Sequence, residues 1–195
     1  MRLLCKDSKH VDLIMNSKGY SDILISNVFY NQKIRPFFRV ALEGNREPAW
    51  GELAKCLKGK YSRFRMRKDM LEAHTDFYYR KHEWDKYVTY TMRVCIYDKA
   101  RFESNADFLN NCAFEVFAYS KKERQLKEAL AWVNRAIALR KNAAFLDTRA
   151  NILYKLGDVN EALVLEQESA LLDPHDKVVQ LNLQKMKAGE PTWKL

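Results

Sequence analysis

Beyond Asp69 the apolar residues of this chain recur at intervals of three and four, and few helix breakers interrupt them. Side chains at those spacings share one face of an α-helix, so each run predicts a helix with a buriable stripe. The clearest stripe, Leu126, Ala129, Leu130, Val133, Ala136 and Ile137, predicts a helix over Glu123–Leu139. Its neighbours predict helices over 69–81, 84–97, 105–119, 143–156, 159–172 and about 175–188. Asp69 followed by Glu72 reads as an N-cap with its reciprocal acid. Gly157 and Gly189 read as left-handed stops, and Asp173-Pro174 and Pro191 mark further ends.

Residues 1–60 carry a weaker pattern. VDLIMNSKGYSDILISNVFYNQ, PFFRVALEG and PAWGELAKCLKG predict three or four short helices, with Gly19, Gly44 and Gly59 as stops and Pro36 and Pro48 near starts. ILISNVFY is rich in strand formers, but no partner strand is visible elsewhere, which favours helix. The expected organisation is a divergent helical portion over 1–60 and helical repeats over 61–195, closed by a capping helix at 175–188, in one continuous unit.

The chain repeats itself. KEALAWVNRAIALRKN from Lys127 and NEALVLEQESALLDPH from Asn160 align at an offset of 33 residues, with Ala129 over Ala162, Ala136 over Ser169 and Leu139 over Leu172. YYRKHEWDKY from Tyr78 matches LYKLGDVNEA from Leu153, with His82 over Gly157 and Tyr87 over Ala162.

On these residues the segment 142–174, with its Y-K-L-G-D turn, E-A-L opening and closing D-P, resembles a tetratricopeptide repeat. Residues 78–97 and 108–141 resemble more degenerate copies. The segment departs from the family pattern at Leu146 and Ala150, which stand where the family has Trp and Gly, and its small residue late in the second helix is Ser169. Across most of the chain, ADFLNNCAF, ALAWVNRAIAL and LDTRANILYKLG in that order resemble the helical C-terminal region of bacterial proteins with an N-terminal thioredoxin domain, several of them exported. Neither the C-x-x-C nor the strands of that domain are present, so redox activity does not carry over. The resemblance implies an all-α, right-handed stack of helical hairpins whose first helices line a binding groove.

Composition agrees with helices: 6 Gly and 4 Pro leave few tight turns, and 47% hydrophobic with 30% charged residues describes a folded chain without a membrane span. No apolar signal-peptide core is visible near the start, which leaves the compartment open: cytoplasmic as the sequence stands, exported if it belongs to a longer thioredoxin-domain protein. The net charge of +9 is uneven. Residues 1–104 hold 21 basic and 13 acidic residues, against 13 and 12 over 105–195. The excess centres on Lys55, Lys58, Lys60, Arg63, Arg65, Arg67 and Lys68, interleaved with Tyr61, Phe64 and Met66. Such a run could grip phosphates, but it more simply decorates a solvated connector.

Catalytic constellations are not apparent. Cys5, Cys56, Cys95 and Cys112 stand far apart without metal or scaffold spacing and read as small apolar filler. His10, His74, His82 and His175 are scattered, and no metal or cofactor is expected. Phe77, Tyr78, Trp84, Tyr87, Tyr90, Phe108, Leu109, Phe114 and Phe117 are expected in the core, and Trp193 either folds back on the last helix or protrudes.

What remains is the face of the first helices. Asp147, Asn151, Tyr154 and Lys155 on one, and Asp69, Glu72, Asp76, Tyr79 and Arg80 on another, are expected to project together toward a partner. The expected function is a non-enzymatic scaffold that binds a protein, a peptide or another copy of the chain. The alternatives are an accessory region of a thioredoxin-like oxidoreductase and, below it, nucleic-acid binding through 55–68.

Overall fold

A computed structural model describes residues 8–17, 20–58, 63–97 and 99–193. Among these residues the chain is helical and contains no strand, so ILISNVFY is helix. It divides into two compact units, Met1–His82 and Glu83–Leu195.

The first unit holds α1 (Ser8–Ile14), α2 (Tyr20–Phe29), a π-helical turn (Tyr30–Ile34), α3 (Arg35–Glu43), α4 (Trp50–Leu57) and α5 (Arg63–Arg80). From α2 through the π turn into α3 the chain is a continuous helical run, and Pro36 lies in the first turn of α3. Proline has no N–H to donate to the preceding turn, and the widened π turn directly before it accommodates that missing bond. The amphipathic face of α3 packs Phe38 edge-on to Phe77 of α5, with ring centres 6.3 Å apart, and Ile34, Ala41, Leu53 and Leu57 are among the other buried apolar residues of this unit. Trp50 stacks on His74 at 3.9 Å, which ties α4 to α5.

Helix α5 begins at Arg63, six residues before the expected N-cap, and Asp69 lies buried within it. Arg, Met and Lys are good helix formers, and their propensity outweighs the unfavourable cations at the first turn. By contacts α5 belongs with α3 and α4. Gly19 and Gly59, expected as stops, lie outside the described residues.

The second unit contains α6 (Trp84–Tyr97), α7 (Lys99–Ser104), α8 (Ala106–Tyr119), α9 (Glu123–Leu139), α10 (Ala143–Leu156), α11 (Val159–Leu172) and α12 (Lys177–Ala188). Its ends follow the capping chemistry. Asn105 and Asn142 each accept the backbone N–H three residues on at 2.9 Å, Asp158 and Asp176 cap α11 and α12, and Gly157 and Gly189 end α10 and α12 with φ of 96° and 73°. Connections of two or three residues fold α8 onto α9 and α10 onto α11 as hairpins. The hairpins then pack α9 on α10 and α8 on α10, and α12 closes the end against α11 and α10. Ala129, Val133, Ala136, Leu146, Ala150, Ile152 and Ala162 fill the layers between them; small residues at the crossings let the helix axes approach.

Cys95 of α6 and Cys112 of α8 form a disulfide, which corrects their reading as apolar filler. Both are buried, and their sequence separation of 17 spans the end of α6, all of α7 and the start of α8, so that tertiary packing brings them together. Phe114, expected in the core, is 46% exposed.

Candidate functional site

The expected partner-binding residues fall on both units. On α5, Asp76 accepts from Arg80 Nε at 2.6 Å and from the Tyr30 hydroxyl at 3.2 Å, and Tyr79 is 46% exposed. Burial and the Asp76 carboxylate together push the Tyr30 phenol well above its usual range. This cluster braces α5 against the π turn. Of the basic run, Lys55, Lys58 and Arg67 are exposed, and Lys68 pairs with Glu72 at 3.5 Å. Lys60 and the side chains of Arg63 and Arg65 lie outside the described residues.

On α10 the expectation of a solvated face is corrected. Asp147 and Asn151 are 9% and 1% exposed, and Tyr154 is also buried. Helix α12 covers this stripe: Asn182 donates to Asp147 Oδ1 at 2.8 Å, beside a 2.9 Å bond from Asn151 to the same oxygen. Glu166 of α11, wholly buried, stands against Asp147. Burial, then the Asp147 charge, push the Glu166 carboxyl up to about 10, and burial raises Asp147 as well. Asp147, Asn151, Asn182 and Glu166 thus form a buried polar cluster that joins three helices.

Lys155 remains at the surface, half-buried, in surroundings that the sequence did not disclose. Its ammonium donates to the Phe117 carbonyl at 2.7 Å and lies 5.2 Å from the Phe117 ring and 5.1 Å from the Trp193 ring. Trp193 also meets Tyr154 edge-on at 6.1 Å and Phe117 at 6.4 Å. Of the two alternatives for Trp193, it folds back: after the left-handed Gly189 and Pro191 the chain returns and lays the indole against the core formed by Leu146, Leu153, Tyr154 and Met186. Desolvation, then the charge of Lys121, pull the Lys155 amine down to about 8, while the two ring faces and the carbonyl offset part of that cost. The result is a slot on α8 and α10, the first helices of successive hairpins, with an aromatic floor and a cation at its edge. The sequence pointed to Tyr154 and Lys155 and to Phe117 as core, where Phe117 indeed lies, 4% exposed; no local spacing signals its pairing with a tail residue 76 positions later.

Among the described residues no group of three or more His, Cys, Asp or Glu side chains is arranged to hold a metal ion. No described helix is long and apolar enough to cross a membrane. The chain matches no protein-family model, and no curated protein matches it in sequence. The class that the fold defines is therefore the coarse one, an all-α protein of packed helices.

Proposed function

We propose that the chain is a non-catalytic protein-interaction scaffold of tetratricopeptide-like hairpins, a right-handed stack that receives an extended segment of a partner along α8 and α10. The observation that carries this reading is the slot around Lys155, where a segment without regular structure already docks an aromatic side chain against Phe117 and Tyr154. A rigid helical surface that takes up an extended segment binds by shape and charge, with no bond chemistry. The buried Asp147–Glu166 cluster fits the same reading, because it fixes the register of α10, α11 and α12 behind the slot.

Affinity capture with the intact chain tests it. A defined partner should be recovered by the wild type and lost with Lys155→Glu, whose helical circular dichroism should match the wild type. Recovery of the same partner by the variant would place binding elsewhere; recovery of none by either would remove the scaffold reading.

A further inference from the structure

We infer, resting on the scaffold reading above, that the tail Glu190–Trp193 is a built-in competitor for the Lys155 slot, and that the partner it yields to is an acidic extended peptide carrying an aromatic side chain. Three observations point there. First, an aromatic side chain already docks there: Trp193 packs against Phe117, Tyr154 and the Lys155 ammonium from a segment without regular structure that leaves α12 after the left-handed Gly189. Second, the tail fits imperfectly. The Thr192 hydroxyl is buried there without a hydrogen-bond partner, a cost that another occupant need not bear. Third, the charge is unanswered. Lys155 is half-buried, Lys121 adds a second positive charge, and among the described residues no carboxylate pairs with Lys155. Among the described residues, a bound Trp193 leaves that cation against two rings and a carbonyl. An occupant with the aromatic group of the tail and carboxylates beside it would keep the stacking and add charge-assisted hydrogen bonds.

The probes are the synthetic peptides GEPTWEE, GEPTWKL and GEPTAEE, each fluorescently labelled and titrated by anisotropy against the full-length chain. GEPTWEE should bind Trp193→Ala at least tenfold more tightly than the wild type, because the competing tail has lost its anchor. GEPTWKL should bind that variant several-fold more weakly than GEPTWEE does, and GEPTAEE should not bind. Adding Lys155→Met should abolish the preference for the acidic peptide. Equal binding to wild type and Trp193→Ala, or indifference to the peptide's aromatic residue, would overturn the inference.

Should Trp193→Ala fold poorly, the wild type labelled with 5-fluorotryptophan serves instead. Addition of unlabelled GEPTFEE should move the Trp193 fluorine resonance to its solvent-exposed position, and an unmoved resonance at saturating peptide would overturn the inference equally. Failure here with the Lys155-dependent partner still captured would leave the scaffold reading standing; peptide binding without any captured partner would leave the tail exchange standing and the scaffold reading lost.

Discussion

Glu166 faces Asp147 inside the second unit with no water-exposed surface of its own, and neither of its oxygens meets a donor as long as both groups are ionised. Two buried carboxylates cannot both keep their charge at such proximity, so the pair holds one proton, on Glu166, which donates it to Asp147. Asn151 and Asn182 both donate to Asp147 Oδ1.

A pH dependence follows directly. Glu166 is raised from 4.5 to about 10, so between those values the folded chain holds a proton that the unfolded chain has released. The stabilisation is complete below about pH 4.5 and is lost as the pH rises toward 10, at about 1.4 kcal/mol per pH unit at the steepest. Glu166→Gln keeps a donor for Asp147 and has nothing to titrate. Urea unfolding at pH 5 and pH 9 should show a clear fall for the wild type and a much flatter response for the variant, which should be the more stable of the two at pH 9. Parallel pH curves would contradict the shared proton.

The disulfide gives a second expectation. Cys95–Cys112 closes a loop of modest length between α6 and α8, and in the chain-entropy account loss of such a crosslink costs about 3 kcal/mol. Cys112→Ala, or reductant, should lower the urea midpoint of the second unit by a corresponding amount. Non-reducing peptide mapping should recover the two segments joined, and separate peptides from fresh material would refute the bond.

The parts of this fold that were legible in the sequence are those fixed by local chemistry. Asn142, Asp158 and Gly157 mark helix ends through bonds that span three or four residues, and α9, α10 and α11 begin and end where the pattern predicts. The alignment of His82 over Gly157 also has a backbone counterpart, since both adopt left-handed φ, 57° and 96°. What local chemistry does not encode is which polar stripe meets water. Asp147 and Asn151 at i and i+4 would read identically on a solvated helix; only the arrival of Asn182 and Glu166 makes them interior. The slot was half legible for the same reason: Tyr154 and Lys155 share a helix, whereas Phe117 and Trp193 come from distant segments.

Gly157 should resist substitution for a reason of backbone alone. A Cβ there would touch nothing within 4 Å, yet φ is 96°. Gly157→Ala should therefore cost about 1–2 kcal/mol with no change in packing, as expected for an L-residue forced into the left-handed region. Thermal unfolding should show the loss, with near-ultraviolet dichroism unchanged at low temperature. An unaltered midpoint would mean that the turn relaxes to another conformation.

Lys155 should impose the opposite pH slope from Glu166. Its amine is pulled from 10.5 down to about 8 by burial and Lys121, so the unfolded chain binds the proton more tightly between those values. Stability carries a constant penalty below about pH 8, recovers as the pH rises toward 10.5, and partly cancels the Glu166 loss over that interval. Lys155→Met keeps the apolar stem against Phe117 and Trp193 and removes the charge. The variant should equal or exceed the wild type in stability at pH 7, and above pH 8 its stability should fall more steeply, because the compensating group is gone. If instead Lys155→Met is markedly less stable at pH 7, the ring faces and the Phe117 carbonyl more than offset the desolvation of the ammonium, and the cation is a structural clasp for the tail.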